Sequence, residues 1–435
     1  MKTNIEKYAA YKDSGEAWIG EIPEHWDIKR LKLIFTEKKL TTNPDLNCGS
    51  ISFGKVVIKD DEKIPLATKA SYQEVLKGEF LINPLNLNYD LISLRIALSY
   101  INVVVSSGYI VLKNILEINK EYFKYLLHRY DVAFMKLLGS GVRQTINFNH
   151  IANSLLAFPP PEEQTAIANF LNRKTALIDQ AIGIKQKQIE LLKERRQILI
   201  HKAVTRGPNP NVKMKDSGVE WIGEVPEGWE VKRIKHVTTK IGSGVTPSGG
   251  GTTYLDIGIP LIRSQNILFG KIELEGVAYI SEKIHASMSN SQVQKGDVLL
   301  NITGGSIGRC HFVETVFPMN VNQHVCIVRP STIITSVFLN SLLASEIGQG
   351  QIWFFQQGGG REGLNFQALK NFIIPLPPIR EQLAISEYIE MTSQKFATAI
   401  SLKEKEIEKL KEYKSTLINS AVTGKIKIQV SQRVF

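Results

Sequence analysis

The chain contains the same 21-residue segment twice, at residues 12–32 and 215–235. The copies, KDSGEAWIGEIPEHWDIKRLK and KDSGVEWIGEVPEGWEVKRIK, are identical at 14 positions and lie 203 residues apart. A second motif, Pro-Pro-x-x-Glu-Gln, occurs at 159–164 and 377–382, 218 residues apart, and each copy opens a long helical pattern. The repeats predict two copies of one unit, each a globular segment followed by a long helix.

The two helical segments carry apolar residues at alternating spacings of four and three, in the same register in both copies. This 3.5-residue repeat is typical of a coiled-coil seam. Two matched seams in one chain predict an intramolecular antiparallel pair about a pseudo-two-fold axis. Packing of each helix on its own globular segment is the alternative. The apolar residues of the predicted helix-pair seam are Leu171, Ile178, Ile182, Ile189, Leu192, Leu199, Ile389, Phe396, Ile400, Ile407, Leu410 and Leu417.

Short β-like runs and interspersed helical stretches in the globular segments predict an α+β fold of two tandem mixed α/β domains. Lys77-Gly78-Glu79 matches Lys295-Gly296-Asp297 at the offset of 218, so the globular segments are related beyond their opening motif. The predicted boundaries are a first domain at 1–158, a first helix at 159–207, a second domain at 208–376, a second helix at 377–427 and a tail at 428–435.

The composition favours a polyanionic partner, because the net charge is +11 and the pI is near 9.3. No stretch of eighteen or more apolar residues exists, which argues against a membrane span. The N-terminal residues lack the apolar core of a secretory signal. Three cysteines cannot form a disulfide framework. We therefore expect a cytoplasmic protein without a membrane partner.

Catalytic signatures are weak. The chain has no G-x-x-x-x-G-K-[ST] phosphate loop. Pro44-Asp45 followed by Asp61-Glu62-Lys63 fits the loose spacing of a magnesium-dependent nuclease, but the pattern is short and the second part reads as a solvated turn. Cys310-His311 and His324-x-Cys326 lack the paired spacing of zinc sites and are better interpreted as strand residues. The sequence predicts no catalytic residue and no metal site.

DNA-binding candidates come from two patterns. Glycine-flanked arginines recur at matched positions, and glycine allows a backbone to approach a phosphate while arginine reaches phosphate or guanine. Polar residues where the two halves differ can read bases, since Asn and Gln pair with adenine. The candidates are Arg143, Gln144, Arg361, Asn86, Asn88, Tyr89, Arg95, Arg263, Gln265, Asn266, Arg309, Asn322, Gln323 and Gln357.

Together these motifs resemble the specificity subunits of type I restriction–modification systems. The resemblance covers almost the whole chain and rests first on S-G-x-x-W-I-G-E-x-P-E-x-W at 14–26 and 217–229 and on the Pro-Pro-x-x-Glu-Gln helices. It also rests on I-G-S-G-V-T-P-S at 241–248, G-I-P-L-I-R-S-Q-N-I at 258–267 and G-D-V-L-L-N-I-T-G-G-S-I-G-R at 296–309.

The resemblance implies two target recognition domains joined by spacer helices that form an antiparallel coiled coil. Each domain would read one half of a bipartite site in double-stranded DNA, and the spacers would set the gap and dock two methyltransferase subunits. Restriction subunits would complete the complex. By this resemblance the chain is not an enzyme and binds no cofactor, while S-adenosylmethionine, ATP and magnesium belong to the partner subunits.

Other interpretations stay open at this point. The chain could serve a related type IIB-like system, which the partner genes would decide. A fused magnesium-dependent nuclease would need the weak Asp45 to Lys63 pattern. A structural coiled-coil adaptor would bind no DNA. Because the first half lacks the G-S-G-x-T-P-S loop of the second, a recognised site is expected to be asymmetric.

Overall fold

The computed structural model describes residues 6–60, 62, 64–85, 94–135, 146–247, 249, 251, 254–314, 317–356 and 363–430. The chain divides into two compact units. The first unit contains Met1–Lys185 and Lys405–Phe435, and the second contains Gln186–Glu404. Each unit therefore combines one globular segment with parts of both long helices. Within the described residues no helix is long and apolar enough to cross a membrane.

The first half of the chain begins with twelve short strands interrupted by helices. The strands are β1 (Tyr11–Asp13), β2 (Glu21–Pro23), β3 (Asp27–Arg30), β4 (Phe35–Glu37), β5 (Gly49–Ser52), β6 (Lys55–Ile58), β7 (Gln73–Val75), β8 (Phe80–Ile82), β9 (Ile96–Leu98), β10 (Val103–Val105), β11 (Ile110–Asn114) and β12 (Leu155–Phe158). The helices are α1 (Leu31–Ile34), α2 (Leu66–Lys69), α3 (Lys120–Ala133), α4 (Phe148–Ile151) and the long α5 (Pro161–Arg206).

The second half repeats this organisation. Its strands are β13 (Met214–Asp216), β14 (Glu224–Pro226), β15 (Glu230–Arg233), β16 (Thr238–Ser243), β17 (Ile259–Ile262), β18 (Ile267–Leu268), β19 (Lys271–Ile272), β20 (Ala278–Ile280), β21 (Val298–Asn301), β22 (Cys310–Phe312), β23 (Asn320–Val321), β24 (Val325–Pro330) and β25 (Ile373–Leu376). Its helices are α6 (Glu282–Ser287), α7 (Ser336–Ala344), α8 (Glu346–Phe355), α9 (Phe366–Lys370) and the long α10 (Ile379–Val422).

Both units are built on a four-stranded antiparallel sheet with the same strand order. The order is β4-β11-β8-β9 in the first unit and β16-β24-β21-β22 in the second. The central strands β8 and β21 are buried along their whole length, as their runs Phe-Leu-Ile and Val-Leu-Leu-Asn suggest. A second pair, β12 with β3 and β25 with β15, joins the end of each globular segment to its start. The predicted α+β class and tandem repeat are confirmed.

The two repeated sequence motifs bond to each other in the first unit. Trp26 is fully buried and its indole Nε1 donates to Glu163 Oε2 at 3.0 Å. Tyr8 and His25 also hydrogen-bond to this carboxylate, each at 2.6 Å. The next residue, Gln164, accepts from the backbone of Asn119 and donates to the carbonyl of Pro159. The opening motif therefore fixes the start of α5.

The second unit repeats this arrangement with its own residues. Trp229 Nε1 donates to Glu381 Oε2 at 2.7 Å. Gln382 accepts from the backbone of Thr335 at 2.8 Å and donates to the carbonyl of Pro377 at 2.9 Å. Both glutamines are fully buried, and hydrogen bonds satisfy their amides. The same two motifs thus fix the start of α10.

The two long helices run antiparallel in the first unit. Lys185 Nζ lies 2.5 Å from Glu406 Oε2, and Lys414 Nζ lies 2.6 Å from Asp179 Oδ1. From the first pair to the second, the α5 residue moves from 185 back to 179 while the α10 residue moves from 406 forward to 414. The helices therefore point in opposite directions. The hydroxyl of Tyr122 also donates to the carbonyl of Val422. The end of α10 therefore belongs to the core of the first unit.

The second unit contains the complementary ends. Ala203 and Val204, at the end of α5, share a hydrophobic core with Ile385 at the start of α10. Each long helix therefore packs against one globular segment at its start and against the other at its end. The alternative, in which each helix packs only on its own globular segment, is excluded. The helices end at Arg206 and Val422, and Gly207 and Gly424 lie just beyond these ends at φ 73° and 71°, a left-handed conformation that favours glycine.

Candidate nucleic-acid interface

Four loops of the second unit meet beside its four-stranded sheet. The backbone N–H of Gly244 donates to the carbonyl of Asn322 at 3.1 Å, and the N–H of Asn322 donates to Ile262 at 3.0 Å. The N–H of Ile302 donates to the carbonyl of His324 at 3.1 Å. We name this group the reading loops: residues 244–247, 263–266, 302–309 and 322–324.

The glycine-rich loop lies close against the neighbouring chain. A Cβ at Gly244 would overlap the carbonyl oxygen of Val321, so only glycine fits there. The Thr246 hydroxyl then hydrogen-bonds to the side-chain oxygen of Gln323. The glycine of this loop thus permits a close backbone approach, and the threonine hydrogen-bonds to an exposed amide.

His324 links two of the reading loops. Its Nδ1 lies 2.7 Å from Thr303 Oγ1, and its Nε2 lies 3.0 Å from the side-chain nitrogen of Gln323. The backbone N–H of His324 donates to Asn322 Oδ1 at 3.1 Å. These bonds fix the position of Gln323, whose side chain remains exposed. An exposed amide on a fixed support can accept and donate to a base edge.

The loop at 263–266 contains one exposed, one half-buried and one buried candidate. Gln265 is exposed, whereas Arg263 is half-buried and its guanidinium lies 5.7 Å from the ring centre of Tyr254. Asn266 is buried, accepts from the backbone of Arg263 and donates to the carbonyl of Glu273. Asn266 therefore holds the loop together and its amide is already used within the protein.

Arg309 ends the 302–309 loop and is half-buried. Its N–H donates to the carbonyl of Ser306, and its carbonyl accepts from Asn301. Asn301 also donates from its side chain to the carbonyl of Ser264 at 2.7 Å, which ties this loop to the preceding one. The loop's backbone is thus fixed while the arginine side chain retains solvent access.

Two candidates of the second unit and one of the first are interior residues. Asn322 is buried and its side chain accepts from the backbone, so it stabilises a turn, as Asn266 does. Arg95 is only 6% exposed and its Nε lies 3.0 Å from Asp131 Oδ1, in a pair whose carboxylate is fully buried. This burial does not favour a contact between the Arg95 guanidinium and a base, and the assignment of Arg95 to DNA binding stays a prediction.

Seven candidates lie outside the described residues: Asn86, Asn88, Tyr89, Arg143, Gln144, Gln357 and Arg361. They stay predictions. In the second unit Gly363, which follows two of them in sequence, bridges to Thr303 of the reading loops. Thr246 and Thr303 were absent from the candidates, although both occur in the T-P-S and N-I-T-G-G-S motifs that the sequence displays.

The lysine–glycine–acid motif shared by both halves serves the fold. Asp297 is fully buried and accepts two bonds from Arg329, at 2.7 and 2.9 Å, and one from the N–H of Gln294. This carboxylate raises the pKa of Arg329. Glu79 is equally buried, accepting from Lys38 and from the N–H of Leu76. The motif therefore anchors a turn in each unit.

No group of three or more His, Cys, Asp or Glu side chains could hold a metal ion in the portions of the chain that the structure describes. Cys310 and Cys326 are free and fully buried, and burial raises the pKa of each thiol to about 12. Burial lowers the pKa of His311. Cys310, His311 and Cys326 lie in strands, as expected, whereas His324 lies in the 322–324 loop. In the nuclease-like pattern Asp45 and Glu62 are exposed, and Asp61 and Lys63 lie outside the described residues.

The predicted seam residues all lie on the less exposed side of α5 and α10. Ile189, Ile407 and Leu417 are buried, as are Leu171 and Ile178. The remaining members, Ile182, Leu192, Leu199, Ile389, Phe396, Ile400 and Leu410, are half-buried. The half-buried Lys185 and Lys414 place their ammonium groups on carboxylates of the facing helix. Charged seam positions can fix the register of a helix pair.

Comparison with known proteins gives one consistent result. The family described as type I restriction modification DNA specificity domain matches residues 23–194 and 226–412. The chain is 26% identical to a Methanocaldococcus jannaschii protein named type I restriction enzyme MjaX specificity subunit, over 94% of this chain and 96% of that protein. It is 29% identical to the EcoBI specificity subunit of Escherichia coli, over 65% of this chain and 60% of that protein.

Solved structures share the fold. A chain from a study of complex assembly in the type I R-M system has a TM-score of 0.67 and 16% identity, covering 92% of this chain and 98% of its own. The HsdS subunit from Thermoanaerobacter tengcongensis has a TM-score of 0.50 and 18% identity, covering 93% and 98%.

Proposed function

Because the chain belongs to the type I restriction modification DNA specificity family, we propose that it reads a bipartite, asymmetric DNA site within a type I restriction–modification complex. In this proposal the chain recognises DNA and catalyses no reaction itself. Each unit reads one half of the site. The observation that carries this proposal is the meeting of four loops, one of which presents the exposed amide of Gln323 held by Thr246 and His324, with Gln265, Arg263 and Arg309 on the neighbouring loops.

The asymmetry of the site follows from what differs between the units. Both are built on the same sheet order and the same motif bonds. The second unit carries the glycine-rich loop at 244–247, and the first unit lacks this G-S-G-x-T-P-S sequence. Identical frames with different loops favour two different half-sites, because sequence is read by side chains at base edges.

Reading by Gln323 can be tested in cells. The chain is expressed with its methyltransferase subunit, and methylated genomic sites are mapped for the wild type and for Gln323→Ala. We expect relaxed sequence preference at one half-site and an unchanged second half-site, with a loss of roughly 5- to 150-fold for the preferred base, since one mismatch costs about 1–3 kcal/mol. Gln197→Ala, an exposed glutamine on α5, is the matched control. An unchanged methylation pattern would remove Gln323 from the interface.

The paired helices set the gap between half-sites and dock the methyltransferase subunits. Four large apolar residues follow α5 at intervals of seven, outside the seam: Leu177, Ile184, Leu191 and Ile198, each 40–56% exposed. A seven-residue interval on one face is the spacing that an amphipathic partner helix would fill. We assign this stripe to a helix of the methyltransferase subunit.

The equivalent positions of α10 are Lys395, Leu402, Lys409 and Thr416, so the stripe belongs to α5 alone. This gives a matched pair of variants. Ile184→Glu should remove the methyltransferase subunit in co-purification, whereas Leu402→Glu, equally exposed at the equivalent position, should retain it. Equal retention by both variants would exclude the stripe as the docking surface.

S-adenosylmethionine, ATP and magnesium belong to the methyltransferase and restriction subunits in this proposal. Purified chain alone should therefore leave duplex DNA intact in the presence of magnesium. Cleavage by the chain alone would instead favour a fused nuclease. A DNA ligand also suits a cytoplasmic location for this protein. Its affinity for duplex DNA should weaken steeply as the salt concentration rises, because contacts to phosphates release counterions.

A further inference from the structure

Each unit contains a two-stranded hairpin with a phenylalanine at its tip. In the first unit β5 pairs with β6, with Ser52 opposite Lys55, so the connecting residues are Phe53 and Gly54. In the second unit β18 pairs with β19, with Leu268 opposite Lys271, and the connecting residues are Phe269 and Gly270. The two hairpins therefore share one register and one tip composition.

The recurrence is also present in the sequence. Ile51-Ser-Phe-Gly-Lys-Val56 corresponds to Ile267-Leu-Phe-Gly-Lys-Ile272 at an offset of 216. That offset lies between the 203 of the opening motif and the 218 of the later motifs. The hairpins are thus corresponding elements of the repeat, in the stretch where the two halves otherwise differ most.

Both phenylalanines lie in solvent. Phe53 is 86% exposed and Phe269 is 53% exposed. Phe53 also adopts φ 46°, and it is the one non-glycine residue with positive φ among the residues that the structure describes. A two-residue turn with positive φ at both positions favours Asn-Gly, because asparagine tolerates this conformation and an aromatic residue does not. A strained and exposed aromatic side chain points to a role outside the fold.

The hairpin of the second unit is joined to the reading loops. The carbonyl of Asn266, which immediately precedes β18, accepts from the backbone N–H of Glu273 at the far end of the hairpin. The side-chain amide of Asn266 donates to the carbonyl of Glu273 and accepts from the backbone N–H of Arg263. The base of the hairpin is therefore held by the same residues that shape the 263–266 loop. Its tip follows the exposed Gln265 by four residues.

The tip of the first unit's hairpin packs against Leu94 and His128. A Cβ on Gly54 would come within 2.8 Å of the Leu94 side chain and 3.2 Å of His128. Leu94 directly follows the sequence that contains the candidates Asn86, Asn88 and Tyr89. Lys55 and Lys59 of this hairpin are exposed, which adds positive charge beside the tip.

We infer that each hairpin enters a groove of the DNA duplex and places its phenylalanine ring against a base step, one in each half-site. A two-stranded ribbon fits the major groove, and apolar side chains that enter base steps partially unstack them. An exposed lysine follows each tip glycine, Lys55 in the first unit and Lys271 in the second, and a lysine beside the ring can bind a phosphate. Lys271 pairs with Glu273 in the free protein, so a phosphate would replace that carboxylate. This inference rests on the proposed function in DNA reading. It adds Phe53 and Phe269 as contact residues, and neither was among the candidates predicted from the sequence.

The test replaces each tip phenylalanine with asparagine. Phe53→Asn places a residue that tolerates positive φ at the strained position, so this hairpin should keep its fold while the ring is lost. Phe269 does not have positive φ, so Phe269→Asn introduces no backbone strain and removes the ring alone. The complex with the methyltransferase subunit is titrated with a duplex carrying the site mapped by methylation. Leu66→Ala and Ile257→Ala, 82% and 85% exposed and away from the tips, are the controls.

We expect each Asn variant to weaken binding by roughly 5- to 150-fold, since one aromatic–base stack contributes about 1–3 kcal/mol. With 2-aminopurine placed at each step of the two half-sites, wild-type protein should raise fluorescence at one step per half-site, and each variant should lose that signal in one half only. Thermal unfolding of the variants should match the wild type.

Two results would overturn the inference. If the wild-type complex binds the duplex and both Asn variants bind as tightly as the controls, the hairpins do not contact DNA and the proposed function stands without them. If the wild-type complex shows no sequence-dependent binding, the proposed function fails and the inference fails with it.

Discussion

The buried ion pair between Arg95 and Asp131 allows a quantitative test of whether Arg95 stabilises the core of the first unit or contacts DNA. Asp131 Oδ2 accepts from the backbone N–H of Arg95 at 2.5 Å, and Oδ1 accepts from Nε at 3.0 Å. The carboxylate is fully buried and the arginine is 6% exposed. Asp131→Ala leaves a cation in the core without this carboxylate. Removal of one partner from such a pair costs about 3–5 kcal/mol of unfolding free energy.

Hydrogen exchange measures this loss within one unit, because the amides of β9 exchange by large-scale opening of the first unit's core sheet. Glu121→Ala on the same helix is the control. Glu121 hydrogen-bonds to Tyr100 and Lys124 at the surface, and the loss of such an ion pair costs up to about 1 kcal/mol. The reasoning is refuted if Asp131→Ala costs no more than Glu121→Ala while Arg95→Ala changes the base preference of a half-site, since Arg95 would then be a reader.

Three further predictions concern the helix ends, one histidine and the helix register. Gly424→Ala should lower the unfolding free energy of the first unit much more than Gly207→Ala lowers that of the second. Both glycines have positive φ, but a Cβ at Gly424 would overlap the Pro23 ring, whereas a Cβ at Gly207 meets only a carbon 3.5 Å away. Unit-resolved hydrogen exchange compares them. Burial lowers the pKa of His128 to about 4, so as the pH falls from about 6.5 to 4 the unfolded chain takes up a proton that the folded chain excludes. The unfolding free energy should fall by roughly 3 kcal/mol over that window, and His128→Leu should flatten the pH dependence measured by urea titration. Lys185→Glu should lower the unfolding free energy by about 1 kcal/mol by facing Glu406, and adding Glu406→Lys should restore most of it, if the register described here is correct.

Much of the fold could be predicted from the sequence because it is repeated. The helix pair follows from two matched seams, and all of its predicted residues lie on the less exposed side. The bond between the two repeated motifs, from Trp26 to Glu163 and from Trp229 to Glu381, was not predicted. It joins residues more than a hundred positions apart, and local periodicity carries no information about such contacts.

The reading surface was harder to predict, because polarity alone does not distinguish a surface amide from a structural one. Asn266 and Gln265 are neighbours, yet one is buried in a turn and the other is exposed. Arg95 likewise is charged and interior. The missed Phe53 and Phe269 had a usable signal, the recurring Ile-x-Phe-Gly-Lys at an intermediate offset. A search restricted to polar residues could not find them.

The separation of frame from reading surface has a physical consequence for how such a protein changes its target. The tryptophan–glutamate bonds and the buried glutamines fix each helix start, and none of these residues belongs to the reading loops or to the hairpin tips. Distant sites without shared partners contribute to stability nearly independently. Substitutions at Gln265, Gln323 or Phe269 should therefore alter the half-site without altering the helix pair. The same independence explains how two halves with one frame can differ in loops such as the 244–247 segment, whose sequence occurs in the second half alone.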